Sequence, residues 1–195
     1  MIPKLLIKFF LKKIMVTAIV AARMGSGRFP GKVLEIINGK PIIQHVVDFL
    51  NKIKSDQFLD DIIIATPNTI ENEKLWNYLK SNNIKFFKGS NDDVLDRYYQ
   101  CAKSNNIDSI MRVCADVPFY DEIKIIQQIE NYKKDGKFTY GNGAWVFSFD
   151  ELEESWLNGK HPEDREHVTT RMFNAVDYPE DLEKVKRILQ KNKKE

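Results

Sequence analysis

Ala21-Ala-Arg-Met-Gly-Ser-Gly-Arg-Phe-Pro-Gly-Lys32 follows the apolar run Val16-Thr-Ala-Ile-Val20. These twelve residues hold three glycines (Gly25, Gly27, Gly31), three cations (Arg23, Arg28, Lys32), Ser26 and Pro30. An apolar strand that opens into such a loop exposes backbone N–H groups beside fixed positive charge. That combination suits a triphosphate. The loop is neither of the common phosphate motifs. Its glycines are spaced two and four apart, which is not GxGxxG, and Gly31-Lys32-Val33 does not fit GxxxxGK[ST].

The pattern repeats outward from this loop. Short apolar strands are expected at 16–21, 61–66, 84–87 and 109–114. Helical spacing of apolar residues marks 41–53, 71–80, 92–104, 121–134 and 180–191. Strand-like residues occupy 138–149 around Gly141 and Gly143. Alternating strands and helices predict βαβ units and a mainly parallel sheet, here a three-layer α/β/α sandwich. Fully apolar strands such as Ile62-Ile-Ile64 imply cover on both faces. Ligands in such sheets lie at the carboxyl ends of the strands. The loop over 23–32 and Asp116, which follows the fourth strand, are both expected at that edge.

The totals narrow the class. A length of 195 residues favours one domain over two. With 43% hydrophobic and 11% aromatic residues, a sizeable core can form. Thirty basic and 28 acidic residues give a net charge of +2, so composition makes no case for nucleic-acid binding. Cys101 and Cys114 have no zinc-type spacing and form no disulfide framework, which fits a reducing cytoplasm. Residues 1–14 carry an apolar run interrupted by Lys4, Lys8, Lys12 and Lys13. That run is too short and too charged to span a bilayer. It reads as an appended extension before a single domain over 15–195. A basic amphipathic helix lying on a membrane surface is the other reading.

Asp116 sits between a strand end and Pro118, while Asp121 is the better cap for the next helix. A carboxylate facing a triphosphate loop is a natural seat for Mg²⁺, which takes one or two carboxylates and phosphate oxygens. Asp177 is the second candidate, with capping of the last helix as its alternative. His45 reads as structural, His161 as an exposed loop residue, and His167 as the histidine best placed to touch substrate. Trp76, Trp145 and Trp156 read as packing. No cysteine or serine is needed as a nucleophile.

These residues resemble a known family. The loop, followed by Val33-Leu34 and Gly39-Lys40-Pro41-Ile42, is similar to the opening of the cytidylyltransferases that activate acidic sugars, such as CMP-Kdo and CMP-sialate synthetases. The spore-coat polysaccharide F-type branch is most similar. Further blocks follow in family order: Gly89-Ser-Asn-Asp-Asp-Val-Leu-Asp-Arg-Tyr-Tyr99, Arg112-Val-Cys-Ala-Asp116-Val-Pro118, Val146-Phe-Ser-Phe-Asp-Glu-Leu152, Arg165-Glu-His-Val-Thr169 and Val176-Asp-Tyr-Pro-Glu-Asp-Leu182. The resemblance implies the nucleotide-diphospho-sugar transferase fold and the reaction of CTP with an acidic sugar to give CMP-sugar and pyrophosphate, for surface polysaccharide. It implies that Ala22, Arg23, Gly25, Ser26, Gly27, Arg28 and Lys32 hold the nucleotide. Asp96 and Arg97 would contact base or phosphate, and Asp116 and Asp177 would hold Mg²⁺. Arg28, Lys32 and Asp116 are the implied catalytic residues, and a homodimer is the implied assembly that stays open.

The chain departs from the family in its second half. Tyr140-Gly-Asn-Gly-Ala-Trp145 carries no carboxylate where relatives have an acidic segment, and only 170–175 separates the last two blocks. Two further readings therefore stand beside the transferase. One is a nucleotide-binding homologue without transfer activity, and the other a related nucleotidyltransferase with another NTP.

Overall fold

The computed structural model describes residues 14–141 and 143–172. The expected final helix over 180–191, Asp177 and most of the N-terminal extension lie outside the described residues. Eight strands and six helices are described, beside three short 3₁₀ turns.

Six strands form one sheet: β1 (Thr17–Ala21), β4 (Asp61–Pro67), β5 (Phe86–Gly89), β6 (Ser109–Cys114), β7 (Thr139–Gly141) and β8 (Ala144–Ser148), in the order β5-β4-β1-β6-β8-β7. β5, β4, β1 and β6 run parallel, whereas β8 runs antiparallel to β6 and β7 antiparallel to β8. β2 (Ile36–Ile37) and β3 (Lys40–Pro41) make a separate two-stranded ribbon. Ile42–Ser55 is α1, Glu73–Ser81 α2, Val94–Ser104 α3, Glu122–Asp135 α4, Phe149–Asn158 α5 and Pro162–His167 α6.

Strand periodicity divides the core into two layers. Ala18, Val20, Ile62, Ile64, Met111, Val113 and Val146 face α1, α2 and α4. Ile19, Ile63, Ala65, Ile110 and Phe147 face α3, with Leu152 of α5 and Val168 beside it. Helix α1 shows why the chain folds this way. Ile43, Val46, Val47, Leu50 and Ile53 recur at helical spacing and are all buried. Burying each contributes about 1.5–3 kcal/mol. Pro41 precedes the first turn, where its missing N–H costs nothing. The helix ends at Asp56, and Phe58 N–H closes back onto Ile53 O at 3.1 Å.

The three-layer α/β/α architecture and the mainly parallel sheet are as expected. Three local features were not anticipated. The run at 84–87 pairs two residues later, as Phe86–Gly89, because Ile84 turns the chain out of α2 with its N–H on Leu79 O. The β2–β3 ribbon has strands of two residues, too short to show a period. Helix α5 follows β8 without a break. It is opened by a reciprocal cap in which Ser148 Oγ accepts from Glu151 N–H at 3.2 Å and Glu151 Oε2 accepts from Ser148 N–H at 2.7 Å. Ser148-Phe-Asp-Glu151 is the sequence signature of such a cap.

Candidate active site

The glycine loop leaves β1 at Ala22, whose N–H still bonds Ala65 O at 3.1 Å and whose side chain is buried. Ala22 is therefore the root of the loop, fixed in the sheet. Beyond it the chain closes on one carbonyl: Met24 O accepts from Ser26 N–H at 3.0 Å and from Gly31 N–H at 2.7 Å. Gly31 has φ 77°, the left-handed region where a Cβ is costly, and it releases the chain into the turn Lys32–Leu34. Val33, buried beneath that turn, anchors the far end of the loop.

The loop between these anchors is open. Among the described residues the amides of Arg23, Gly25, Gly27 and Arg28 make no backbone bond, and all four residues are exposed. Ser26 Oγ accepts from Phe29 N–H at 3.4 Å. Open amides with two exposed guanidinium groups are what an anion-binding loop requires.

Asn72 secures this loop, and no motif marks it in the sequence. Its side chain is 1% exposed; Oδ1 accepts from Met24 N–H at 2.9 Å and Nδ2 donates to Thr69 Oγ1 at 2.9 Å. Only its position just after β4, at the same sheet edge, hinted at a role.

Asp116 lies across the crevice. Ala115 N–H bonds Ala21 O at 3.1 Å, so the chain leaves β6 beside the root of the glycine loop. Lys32 Nζ donates to Asp116 Oδ2, and both side chains remain partly exposed. The expected helix cap is Asp121, whose Oδ1 accepts from Lys124 N–H at 3.2 Å, so Asp116 has no capping duty. Beneath Asp116, Cys114 has its thiol pKa raised by burial, with Asp116 adding to the rise and Arg112 and Lys32 opposing it. Cys101 is buried in the core and pushed up to about 12 by desolvation. Neither thiol is a ready nucleophile.

Asp96 and Arg97 are placed differently from the loop cations. Arg97 is 1% exposed; Nε donates to Ser90 O at 2.8 Å and Nη2 to Asn91 O at 3.0 Å. Burial, and then the field of Arg23, pulls its pKa below the ordinary value, while Tyr98, Asp93 and Asp92 oppose the fall. Asp96 Oδ1 accepts from Trp156 Nε1 at 2.9 Å and from Gln100 Nε2 at 3.1 Å. Both side chains thus hold the start of α3 in shape. Gly89 permits this: a Cβ there would lie 2.8 Å from Arg97 Cγ.

Among the histidines, His45 Nε2 lies 2.8 Å from Ile37 O and ties β2 to α1, as a structural residue would. His161 is half-buried at the start of α6 rather than fully exposed, and Asp164 Oδ2 accepts from its backbone N–H at 3.3 Å. His167 is exposed at the end of α6. The same block places Arg165 on Asp93 Oδ2, at 2.7 Å from Nε and 2.5 Å from Nη2, which clamps α6 to the cap of α3. Trp156 stacks on Tyr99 at 4.2 Å between centroids, and Lys88 Nζ lies 3.3 Å over the ring of Trp76.

Among the described residues no three His, Cys, Asp or Glu side chains gather into a metal cage. No helix among them is long and apolar enough to cross a membrane.

The chain is similar to known proteins in both sequence and fold. The chain is 34% identical over 166 residues to an uncharacterised protein of Methanocaldococcus jannaschii, covering 81% of this chain and 67% of the relative. It is 32% identical to an 8-amino-3,8-dideoxy-manno-octulosonate cytidylyltransferase of Shewanella piezotolerans, covering 83% of this chain and 63% of that one. The chain thus spans about two thirds of the length of these curated relatives. A solved cytidylyltransferase from Leptospira borgpetersenii superposes with a TM-score of 0.70 at 25% identity, covering 80% of this chain and 70% of that one. The family model described as Cytidylyltransferase matches residues 17–194, and the chain belongs to that family.

Proposed function

We propose that this protein transfers a cytidylyl group from CTP to a hydroxyl of an acidic sugar and releases pyrophosphate. The single observation that carries the reading is the pairing across the crevice. Lys32, at the end of the loop that carries the open amides and cations, reaches Asp116 at the end of β6. In this reading Arg23, Arg28 and the amides of Gly25, Gly27 and Arg28 receive the triphosphate, and Ser26 lines the same loop. Asn72, Asp96 and Arg97 act as positioning residues.

Asp116 fits Mg²⁺ by the chemistry of its donor set. It is one hard, accessible carboxylate beside the place where phosphate oxygens would lie, and Mg²⁺ keeps such mixed shells. Asp177 is the second ligand in this proposal. When bound, the ion would neutralise charge on the phosphates.

The acceptor hydroxyl oxygen forms a bond to the α-phosphorus as the bond from that phosphorus to the bridging oxygen breaks. The pair of electrons leaves with pyrophosphate, and the hydroxyl proton passes to solvent. Lys32 and Arg28 lower the barrier by holding negative charge that grows on the phosphates. No covalent enzyme intermediate is needed, in keeping with the raised thiol pKa of Cys114. A cytoplasmic location, where CTP is available, and a homodimer belong to the same reading, as does a role in surface polysaccharide synthesis.

One observation favours a second reading, a homologue that binds nucleotide without transfer. The β7–β8 hairpin is tight, with Gly141 directly opposite Ala144, and leaves no room for an acidic segment. Pyrophosphate release separates the two. With CTP, Mg²⁺ and a panel of acidic sugars, the transferase reading expects release that vanishes in Asp116→Ala. CTP binding without release across the panel supports the second reading.

A further inference from the structure

Among the described residues Arg112 makes no ion pair, and it packs beside the hairpin where the chain departs from the family. It lies on β6, four residues before Asp116, and its side chain is on the α3 side of the sheet with Ile110 and Cys114. Register places Ile19, Arg112, Trp145 and Tyr140 in one row across β1, β6, β8 and β7. Directly opposed residues share a face. Burial falls steadily along that row: Ile19 is 0% exposed, Arg112 9%, Trp145 is half-buried and Tyr140 is 65% exposed. The sheet face is therefore sealed by α3 at β1 and opens to solvent at the hairpin.

The guanidinium of Arg112 lies 4.5 Å over the ring of Trp145. Its buried Nε meets no acceptor among the described residues. A guanidinium out of solvent is normally forked onto a carboxylate or carbonyls, as the buried Arg97 and the half-buried Arg165 are here. The hairpin beside it, 140–145, supplies no acid. Cys114 and Tyr120 feel the charges of both Arg112 and Asp116, so the guanidinium and the reaction edge share one neighbourhood.

We propose that Arg112, seated over Trp145, is the specificity-determining residue that receives the carboxylate of the acceptor sugar. This rests on the transferase reading above. A planar fork with an unused Nε–H suits bidentate recognition of a carboxylate, which an ammonium cannot reproduce. Trp145 supports the guanidinium at 4.5 Å, and Tyr140 lines the open end of the row. An anionic acceptor would give Nε a partner that the described residues do not supply.

The test uses the full chain with CTP and Mg²⁺. Pyrophosphate release is measured with 3-deoxy-manno-octulosonate, its 8-amino-3,8-dideoxy analogue and N-acetylneuraminate, each as the acid and as the C1 carboxamide. Wild type should prefer the acid that turns over to its amide by on the order of 100-fold in kcat/KM. Arg112→Met should abolish that preference through KM for the acid, with KM for CTP within about twofold, and Arg112→Lys should restore only part of it. If Arg112→Met does not fold, the Arg112→Lys preference decides. Unchanged preference in the variants, or parallel loss of CTP and acceptor kinetics, overturns the inference and leaves the transferase reading standing. Silence of wild type with every acid overturns that reading, and the inference with it.

Discussion

Lys32 donates from Nζ to the carboxylate of Asp116 across 84 positions of sequence. The contact joins the loop after β1 to the loop after β6, which are neighbours only because those strands pair in parallel. In the proposed reading it places a cation where phosphate oxygens would enter. The side chains are 29% and 39% exposed, so solvent screens the pair.

Lys32→Met should therefore separate stability from activity. An exposed pair of this kind contributes about 0.2–1 kcal/mol, so the thermal midpoint should move by less than about 4 °C. Turnover with CTP should fall by about 10²–10³, the cost of removing one group that stabilises charge in the transition state. Calorimetry and the pyrophosphate assay on one preparation check both numbers.

Asn72→Ala should act on the nucleotide without touching it. The variant orphans Met24 N–H and removes the bond to Thr69, so unfolding should become easier by about 1–3 kcal/mol. With its anchor gone the glycine loop loses preorganisation. KM for CTP should rise by about tenfold, a cost of about 1.4 kcal/mol in binding. Denaturant unfolding and a CTP titration of the initial rate test the pair of effects.

Gly89→Ala should expose the dependence of α3 on close packing. The new Cβ would lie 2.8 Å from Arg97 Cγ and 2.9 Å from Phe87, and overpacking typically costs 1–3 kcal/mol. The 89–93 loop that Arg97 holds should shift with it. A lowered urea midpoint is the expected result.

The pH response of one surface cluster has a definite sign. Asp61 is raised by partial burial, but hydrogen bonds from Lys54 and Lys85, both at 3.0 Å, outweigh this and lower its pKa overall. A carboxylate depressed in the folded state adds stability that is fully present above its unfolded pKa, about 3.9. That stability is lost as pH falls through the folded value. The gap in unfolding free energy between wild type and Asp61→Asn should therefore be under about 1 kcal/mol at pH 6, given the partial exposure. It should close as the pH is lowered below about 4. Urea unfolding across that range measures it.

The sheet was legible because Ile62-Ile-Ile64 and Val16-Thr-Ala-Ile-Val20 are buried on both faces and leave uninterrupted apolar runs. Chain order then placed the glycine loop and Asp116 at one edge, and the Lys32 contact is the outcome. Helix α5 was hidden because Phe149 to Asn158 carries four acids and follows a strand directly, so that only its cap, Ser148 with Glu151, marked where it starts. Asn72 was hidden for another reason. Its work is done by a buried side chain in a 3₁₀ turn, and a lone Asn there has no period and no motif. Arg97 and Arg112 looked alike as arginines near the site. What distinguishes them is partners: Arg97 is satisfied by two carbonyls, and the Nε of Arg112 by none among the described residues. Such partners are settled by tertiary packing, which local sequence does not record.

Cytidylyl transfer is read directly by ³¹P NMR of the full chain with CTP, Mg²⁺ and an acidic sugar. The three triphosphate resonances should give way to one pyrophosphate signal and one phosphodiester signal of a CMP-sugar, and only when the sugar is present. Unchanged CTP with every acidic sugar of the panel, or its conversion to CDP and inorganic phosphate regardless of sugar, would contradict it.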